Sequence, residues 1–182
     1  KQVSLQVLEE SGQKALQYST TEGYEPLRSQ IAQRMQQKFR TSFQSDDILI
    51  TSGSQQALDL LGKVFLDEDD VVLCESPTYL AALSAFRAYR PRFIEVPTDE
   101  EGMVPEALEH ILQTTERLKF AYVIPDFQNP TGKTWSLSRR QAFMNLINKY
   151  HLPVIEDNPY GELRFENIFP PSLQTCDQHG LV

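Results

Sequence analysis

Polar and aromatic side chains follow three predicted strands at the point where each strand ends. Tyr79 lies in ESPTYL, Asn129 in PDFQNPTGK, and Asp157 with Tyr160 in IEDNPYGELRF. A carboxylate at the end of a buried strand costs desolvation energy unless it meets a cation or hydrogen-bond donors, so Asp157 predicts a positively charged partner. A protonated ring nitrogen would satisfy that need.

The segment ILITSGSQQALDLL predicts a strand that breaks at Gly53 and a helix that starts at once. The amides of Ser54, Gln55 and Gln56 then become first-turn donors at the positive end of the helix dipole, where a phosphate would bind. The pattern has an ordinary alternative, because Ser52 with Gln55 would also fit a capping box.

The other groups have ordinary explanations as well. Tyr79 would serve as core filling, and Asp157 would cap the turn at Asn158-Pro159. The hypothesis of one combined site is wrong only if every one of these ordinary explanations is correct. An anion-binding helix start, a flat aromatic side chain, an amide, a phenol and a carboxylate together suit one flat, phosphorylated ring that contains nitrogen.

Strand-like and helix-like segments alternate along the chain, which favours an α/β fold with a mostly parallel sheet covered by helices. Strands are predicted at 48–51, 71–74, 92–96, 120–124 and 154–156. In such a sheet, ligands bind outside the carboxyl ends of the strands, which is where the side chains above lie.

Helices are predicted where apolar residues recur at helical spacing, in the segments 27–39, 57–65 and 143–150. Ser138 and Gln141 fit a capping box at the start of the last of these. A further strand is expected to begin at Leu181.

The composition excludes several classes of partner. The chain has 182 residues with 17 Lys and Arg against 25 Asp and Glu, a net charge of −8, and no basic run that would mark a nucleic-acid or membrane surface. Cys74 and Cys176 are too few for a disulfide scaffold, and Cys176 with His179 favours surface residues over a zinc site. With no apolar stretch of membrane length, the chain is typical of a cytoplasmic protein without a metal.

Five ordered blocks resemble the pyridoxal-phosphate (PLP) enzymes of fold type I, specifically class I/II aminotransferases of the 2-aminoadipate and aromatic amino acid type. The blocks are YSTTEGYEPLR, TSGSQQALDLL, ESPTY, PDFQNPTGKTWS and IEDNPYGELRF. The resemblance implies a three-layer αβα sandwich with a mixed, mostly parallel sheet. It also implies a homodimer with shared active sites, and amino acid and 2-oxo acid substrates.

The resemblance also implies a role for each matching residue. Gly53, Ser54 and Gln55 would hold the phosphate of PLP, and the ring of Tyr79 would stack on the pyridine. Asn129 and Tyr160 would bind the 3-oxygen of the ring, and Asp157 would pair with the ring nitrogen. Tyr18, by its place in the first block, would reach the phosphate in the neighbouring subunit.

One departure from the family pattern matters. The lysine that binds the cofactor covalently lies in a Ser-rich motif that this chain does not contain, and neither Lys63 nor Lys133 occupies a matching position. Residues 1–182 are therefore expected to be part of the PLP-binding large domain, and to be inactive alone. The lysine segment and a small C-terminal domain would follow Val182.

Two other functions remain open at this point. A PLP-dependent β-lyase or decarboxylase of the same fold would use the same cofactor site, since reaction choice depends on groups on the substrate side. An aminotransferase-like effector domain of a transcription regulator would carry a DNA-binding module upstream. The resemblance further predicts cis peptide bonds at Ser76-Pro77 and Asn129-Pro130.

Overall fold

The computed structural model describes residues 1–165 and 168–182, and these form six α-helices and five strands. The helices are α1 (Gln2–Ala15), α2 (Glu25–Phe39), α3 (Ser54–Phe65), α4 (Leu80–Arg87), α5 (Pro105–Thr114) and α6 (Leu137–Tyr150). The strands are β1 (Val71–Ser76), β2 (Arg92–Asp99), β3 (Gly102–Met103), β4 (Leu118–Val123) and β5 (Val154–Glu156). Short 3-10 turns occur at Ser45–Asp47 and Leu173–Cys176.

The strands form one sheet in the order β3-β2-β1-β4-β5. The pairs β2/β1, β1/β4 and β4/β5 are parallel, and only the short edge strand β3 is antiparallel among the described pairs. In the described register, Val72 of β1 lies beside Phe93 and Phe120, and Tyr122 of β4 lies beside Ile155. The parallel arrangement brings the carboxyl ends of β1, β4 and β5 to one edge of the sheet.

Helices cover both faces of the sheet. Residues of β4 alternate between the faces, so that Tyr122 packs in the cluster containing α3 and α4, whereas Val123 packs in the cluster containing α5 and α6. The first four residues of β1, VVLC, form a continuous apolar run because both faces of the strand are buried there. The structure thus confirms the three-layer αβα sandwich with a mixed, mostly parallel sheet.

Gly102 of β3 lies directly under a buried indole. Its φ is +122°, and a Cβ atom placed there would lie 2.5 Å from Cδ1 of Trp135. Trp135 is 2% exposed and packs edge-on against Phe143, with ring centroids 5.1 Å apart. Only a residue without a side chain permits this contact.

The predicted strands at 71–74, 92–96, 120–124 and 154–156 are confirmed as β1, β2, β4 and β5. The strand predicted at 48–51 is wrong. That segment forms no strand, and Ile50 makes a single backbone hydrogen bond of 2.9 Å, from its N to Glu22 O. A run of β-forming residues becomes a strand only where a neighbouring strand supplies a ladder, and none of the described strands lies beside this segment.

The three predicted helices are confirmed as α2, α3 and α6, but the capping box at Ser138 and Gln141 is wrong. Helix α6 is capped two residues earlier, where Ser136 accepts a hydrogen bond of 3.1 Å from Arg139 N. Leu181 forms no strand, although its carbonyl accepts a hydrogen bond of 2.7 Å from Val154 N of β5.

Both peptide bonds predicted to be cis, Ser76-Pro77 and Asn129-Pro130, are cis. Among the described helices, none combines the length and the apolar character needed to cross a bilayer.

Candidate active site

A cleft opens at the carboxyl ends of β1, β4 and β5, and five of the predicted site residues line it. The lining residues are Ser54, Tyr79, Ile124, Asn129, Asp157, Pro159 and Tyr160. They come from segments that lie up to about a hundred residues apart in the sequence, and the parallel sheet brings them together. The cleft is the place in the described structure where the groups singled out by sequence converge.

The first residues of α3 form one wall of the cleft. The N-cap residue is Gly53, with φ of +91°, and no side chain caps the helix. The amides at Ser54 and after it therefore remain available to an anion. The alternative capping box is not formed, because the amide of Ser52 instead donates to the side chain of Gln56 at 2.6 Å.

Asp157 is held at the end of β5 by two contacts. Its backbone N donates to Val123 O at 2.9 Å, and its Oδ2 accepts a hydrogen bond of 2.7 Å from the phenol of Tyr122. Tyr122 is completely buried, and burial followed by the contact with Asp157 raises the pKa of its phenol well above the ordinary value. The phenol therefore stays protonated and donates to the carboxylate at all ordinary pH values.

Sequence reasoning missed Tyr122. Its position offered one signal, since it alternates with Phe120 of β4 and with Ile124, the residue after β4, and therefore shares their face of the sheet. Glu156, the acid before Asp157, points elsewhere and accepts a hydrogen bond of 3.1 Å from Leu173 N. Successive side chains of an extended chain point to opposite faces of the sheet, so Glu156 and Asp157 have different surroundings.

The loop that carries Asn129 is fixed by hydrogen bonds at its base. Trp135 N donates to Pro125 O at 2.8 Å, and Gln128 N donates to Lys133 O at 2.8 Å. The Lys133 ammonium contacts the carboxylate of Glu100 at 2.9 Å, and Lys133 is not among the residues that line the cleft.

A buried ion pair supports the same loop from behind. Asp126 accepts a hydrogen bond of 2.9 Å from Arg140 and a second from Arg164. Arg140 is 1% exposed and also donates to the carbonyl oxygens of Pro125 and Trp135, at 3.0 and 3.3 Å. Sequence reasoning did not single out this cluster.

Tyr79 and Tyr160 project from the turns after β1 and β5. Tyr79 is the N-cap residue of α4 and is partly buried, whereas Tyr160 is more exposed. The turn that carries Tyr160 is joined to α2 by ion pairs. Glu162, two residues after Tyr160, accepts hydrogen bonds from Arg34 and Lys38 of α2. The hydrogen bond from Arg34 lowers the pKa of Glu162 to about 2, so this tie persists at neutral pH.

Three predicted residues, Tyr18, Gly53 and Gln55, are not among the residues that line the cleft. Tyr18 follows α1 and its side chain is completely exposed. Gly53 and Gln55 flank Ser54 at the start of α3, and the side chain of Gln55 donates to Ala81 O at 3.4 Å.

The fold and the sequence together define the class of protein. The chain belongs to the family of class I and II aminotransferases, whose model matches residues 1–179.

Individual relatives agree with this assignment. The aromatic-amino-acid aminotransferase 1 of Thermococcus litoralis is 43% identical over 100% of this chain, which covers 44% of that protein. The 2-aminoadipate transaminase of Thermus thermophilus is 46% identical over 94% of this chain, which covers 42% of that protein. The crystal structure of a Pyrococcus horikoshii kynurenine aminotransferase in complex with PMP superposes with a TM-score of 0.92 and 42% identity, over 100% of this chain and 46% of that one.

The chain thus spans less than half the length of these relatives. A different kind of protein also matches. YisV of Bacillus subtilis, an uncharacterized HTH-type transcriptional regulator, is 36% identical over 92% of this chain, which covers 34% of the regulator.

Proposed function

We propose that the full-length protein is a PLP-dependent aminotransferase that moves an amino group between an amino acid and a 2-oxo acid. The observation that carries this proposal is the convergence of Ser54, Tyr79, Asn129, Asp157 and Tyr160 on one cleft. The family assignment supports it, as do the printed activities of the two curated relatives.

The residues of the cleft fit PLP. The uncapped first turn of α3 offers amide donors for a phosphate. The Asp157 carboxylate, oriented by Tyr122, offers a partner for a protonated ring nitrogen. The cleft is also lined by an aromatic ring, Tyr79, and an apolar side chain, Ile124, which suit the faces of a flat heterocycle.

Within this proposal, each side chain has a defined task. Gly53, Ser54 and Gln55 hold the phosphate, and Tyr79 stacks on the ring. Asn129 and Tyr160 donate to the 3-oxygen, and Asp157 keeps the ring nitrogen protonated. PLP, when bound, supplies an electron sink that makes the α-proton of the amino acid acidic.

Other parts of the proposal concern the whole protein. Residues 1–182 form part of the PLP-binding large domain, and the covalent lysine and a small domain belong to the remainder. The protein acts as a homodimer in which the exposed Tyr18 reaches the phosphate of the neighbouring subunit. Aromatic amino acids, 2-aminoadipate and kynurenine are the first donors to test, because the relatives are named for them. Both cysteines are free thiols, which supports a cytoplasmic location.

A product assay on the full-length protein with PLP tests the proposal. Incubation with each amino acid and 2-oxoglutarate should yield glutamate together with the matching 2-oxo acid. Release of ammonia or carbon dioxide without glutamate would point instead to a lyase or a decarboxylase. The absence of any turnover, combined with tight binding to DNA, would favour the regulator alternative.

The Asp157→Asn variant tests the role of the charge on Asp157. An amide of the same size keeps the shape of the cleft but removes the charge that pairs with the ring nitrogen. We expect turnover to fall by about a hundredfold or more, since an opposing charge shifts a pKa by one to three units. Asp46→Asn, an exposed residue outside the cleft, should leave turnover unchanged.

A further inference from the structure

A buried glutamate joins the ends of two strands behind the cleft. Glu75 of β1 is 2% exposed. One oxygen of its carboxylate accepts a hydrogen bond of 2.9 Å from Ile124 N, and the other accepts one of 3.0 Å from the indole Nε1 of Trp135. The glutamate therefore connects β1 both to the end of β4 and to the far end of the loop that carries Asn129.

A buried glutamine makes a second connection between the same two regions. Gln128 is 3% exposed, and its Nε2 donates to Pro77 O at 2.7 Å. Its Oε1 accepts from both N and Oγ1 of Thr131, at 2.9 and 2.8 Å. Gln128 thus holds the turn before Tyr79 against the turn that contains Asn129.

Neither Glu75 nor Gln128 lines the cleft, but both connect the two segments that carry lining residues. Tyr79 lies four residues after Glu75 and two after Pro77, and Asn129 is adjacent to Gln128. The ring of Tyr79 and the amide of Asn129 are the groups assigned to the face and the edge of one flat ligand. Any change in the separation of the two turns therefore changes how well a ring fits between them.

We propose that Glu75 and Gln128 are positioning residues that fix the separation of Tyr79 from Asn129, and so fit the cleft to the ring of PLP and not merely to its phosphate. The nature of the ligand rests on the proposed function. The separation itself is a property of the chain and does not depend on that function.

A carboxylate is the group that this position requires. Two N–H donors, from Ile124 and Trp135, converge on its two oxygens, and a carboxylate accepts at both once the pH exceeds the value of about 7 to which burial raises its pKa. In a Glu75→Gln variant, an amide NH₂ would face one of these donors. One N–H would then lack an acceptor in the buried region, and the two segments would move apart to relieve the contact.

Binding measurements on the full-length apoprotein test the proposal. The dissociation constants of PLP and of inorganic phosphate, the latter from competition with PLP, are compared in the wild type and Glu75→Gln. PLP binding should weaken about tenfold or more in Glu75→Gln, as expected for an unsatisfied buried donor, while phosphate binding changes by less than about twofold. The circular dichroism that bound PLP acquires in the visible range should fall as well, because the ring is held less rigidly.

Glu95→Gln is the matched control. Glu95 is an exposed carboxylate on β2 that accepts a hydrogen bond of 2.6 Å from Ser76 Oγ, so it is close to the same strand end but outside the connection. The control should bind both ligands as the wild type does. Equal loss of PLP and phosphate binding in Glu75→Gln would overturn the proposal, since it would indicate general disruption. So would unchanged PLP binding.

A second variant and a structural measurement test the proposal if Glu75→Gln does not fold or gives an ambiguous binding result. If Glu75→Gln does not fold, Gln128→Glu replaces the donor to Pro77 O with a carboxylate that repels it, and the same pattern of binding is expected. Crystal structures of the apoproteins measure the separation of Tyr79 from Asn129 directly. An unchanged separation in the variant would overturn the inference. A wild type that binds no PLP would instead overturn the proposed function.

Discussion

The phenol of Tyr122 lies 2.7 Å from the carboxylate of Asp157, although the two residues are 35 positions apart in the sequence. Their strands are parallel neighbours, and Tyr122 lies beside Ile155 in the register. A completely buried donor therefore orients an acid at the edge of the cleft. This contact gives the carboxylate a fixed direction before any ligand binds.

Replacing Tyr122 with Phe tests this contact. The change keeps the ring in its core position but removes the donor to a charged group, an interaction that contributes about 1.5–3 kcal/mol. We expect kcat/KM of the full-length protein to fall about tenfold or more, while stability falls by no more than the contribution of this one hydrogen bond. Steady-state kinetics and a melting curve measure the two effects.

Tyr89→Phe is the control for that prediction. Tyr89 also donates to an aspartate, Asp59, at 3.0 Å, but this pair lies on the surface away from the cleft. Its kinetics should match those of the wild type. If Tyr122→Phe behaved like Tyr89→Phe, orientation of Asp157 by Tyr122 would be excluded.

The buried carboxyl of Glu75 predicts a pH dependence of stability. Burial raises its pKa from 4.5 to about 7, so the folded state holds a proton that the unfolded state has released between these values. The free energy of unfolding should therefore fall as the pH rises through this window, by at most about 1.4 kcal/mol per pH unit. Urea unfolding at several pH values measures the slope.

The same experiment on Glu75→Gln isolates the contribution of the glutamate. The amide does not titrate, so the slope between pH 4.5 and about 7 should be smaller in this variant than in the wild type. Glu95→Gln should keep the wild-type slope. Identical slopes in all three proteins would contradict the assignment.

Loss of Arg140 should destabilise the protein strongly. Arg140→Met removes one of the two arginines that pair with the buried carboxylate of Asp126, and breaking such a pair costs up to about 3–5 kcal/mol. Denaturant unfolding measures the change. The exposed Arg87→Met should cost far less, about 1 kcal/mol or below.

A double variant separates the ion pair from simple packing. Asp126→Asn with Arg140→Met should be less destabilised than the sum of the two single variants, because the double variant no longer buries a carboxylate that has lost one of its two arginine partners. Additive losses would indicate that packing alone accounts for the cost of Arg140→Met.

Gly53→Ala should disturb both the backbone and ligand binding. At φ of +91° and ψ of 165° a side chain strains the backbone, by about 1–3 kcal/mol, even though no atom lies within 4 Å of the added Cβ. We expect lower stability together with weaker binding of inorganic phosphate, measured by calorimetry.

Gly180→Ala is the matched control, because Gly180 also has positive φ, +70°, and open space around its Cβ position. It should lose stability by a similar amount and keep its phosphate affinity. If both variants kept that affinity, the start of α3 would not be the phosphate site.

Much of this fold was predictable because each strand of the sheet interior is a short apolar run that ends in a turn. The parallel sheet then explains why Asn129 and Asp157 share a cleft. The segment 48–51 was predicted wrongly, since its residues favour a strand locally while pairing depends on a neighbour that local sequence does not reveal. The start of α6 was misplaced for a related reason, because Ser136 and Ser138 both suit an N-cap and only the backbone angles decide between them.

The contacts behind the cleft were not predictable. A glutamate after an apolar strand gives no indication that a tryptophan 60 positions later will donate to it, as Trp135 does to Glu75. Tyr122 looked like one more aromatic core residue for the same reason. Such pairs depend on the three-dimensional register of the strands, whereas motif spacing reports only what is near in the chain.

The glycine at position 102 lies on the far side of the indole that holds Glu75. Since any side chain at position 102 would collide with Trp135, the glycine is required by a tryptophan 33 positions away. We therefore expect that homologous chains replace Gly102 only where a smaller residue has already replaced Trp135. Gly102 would then be conserved because of its packing against Trp135.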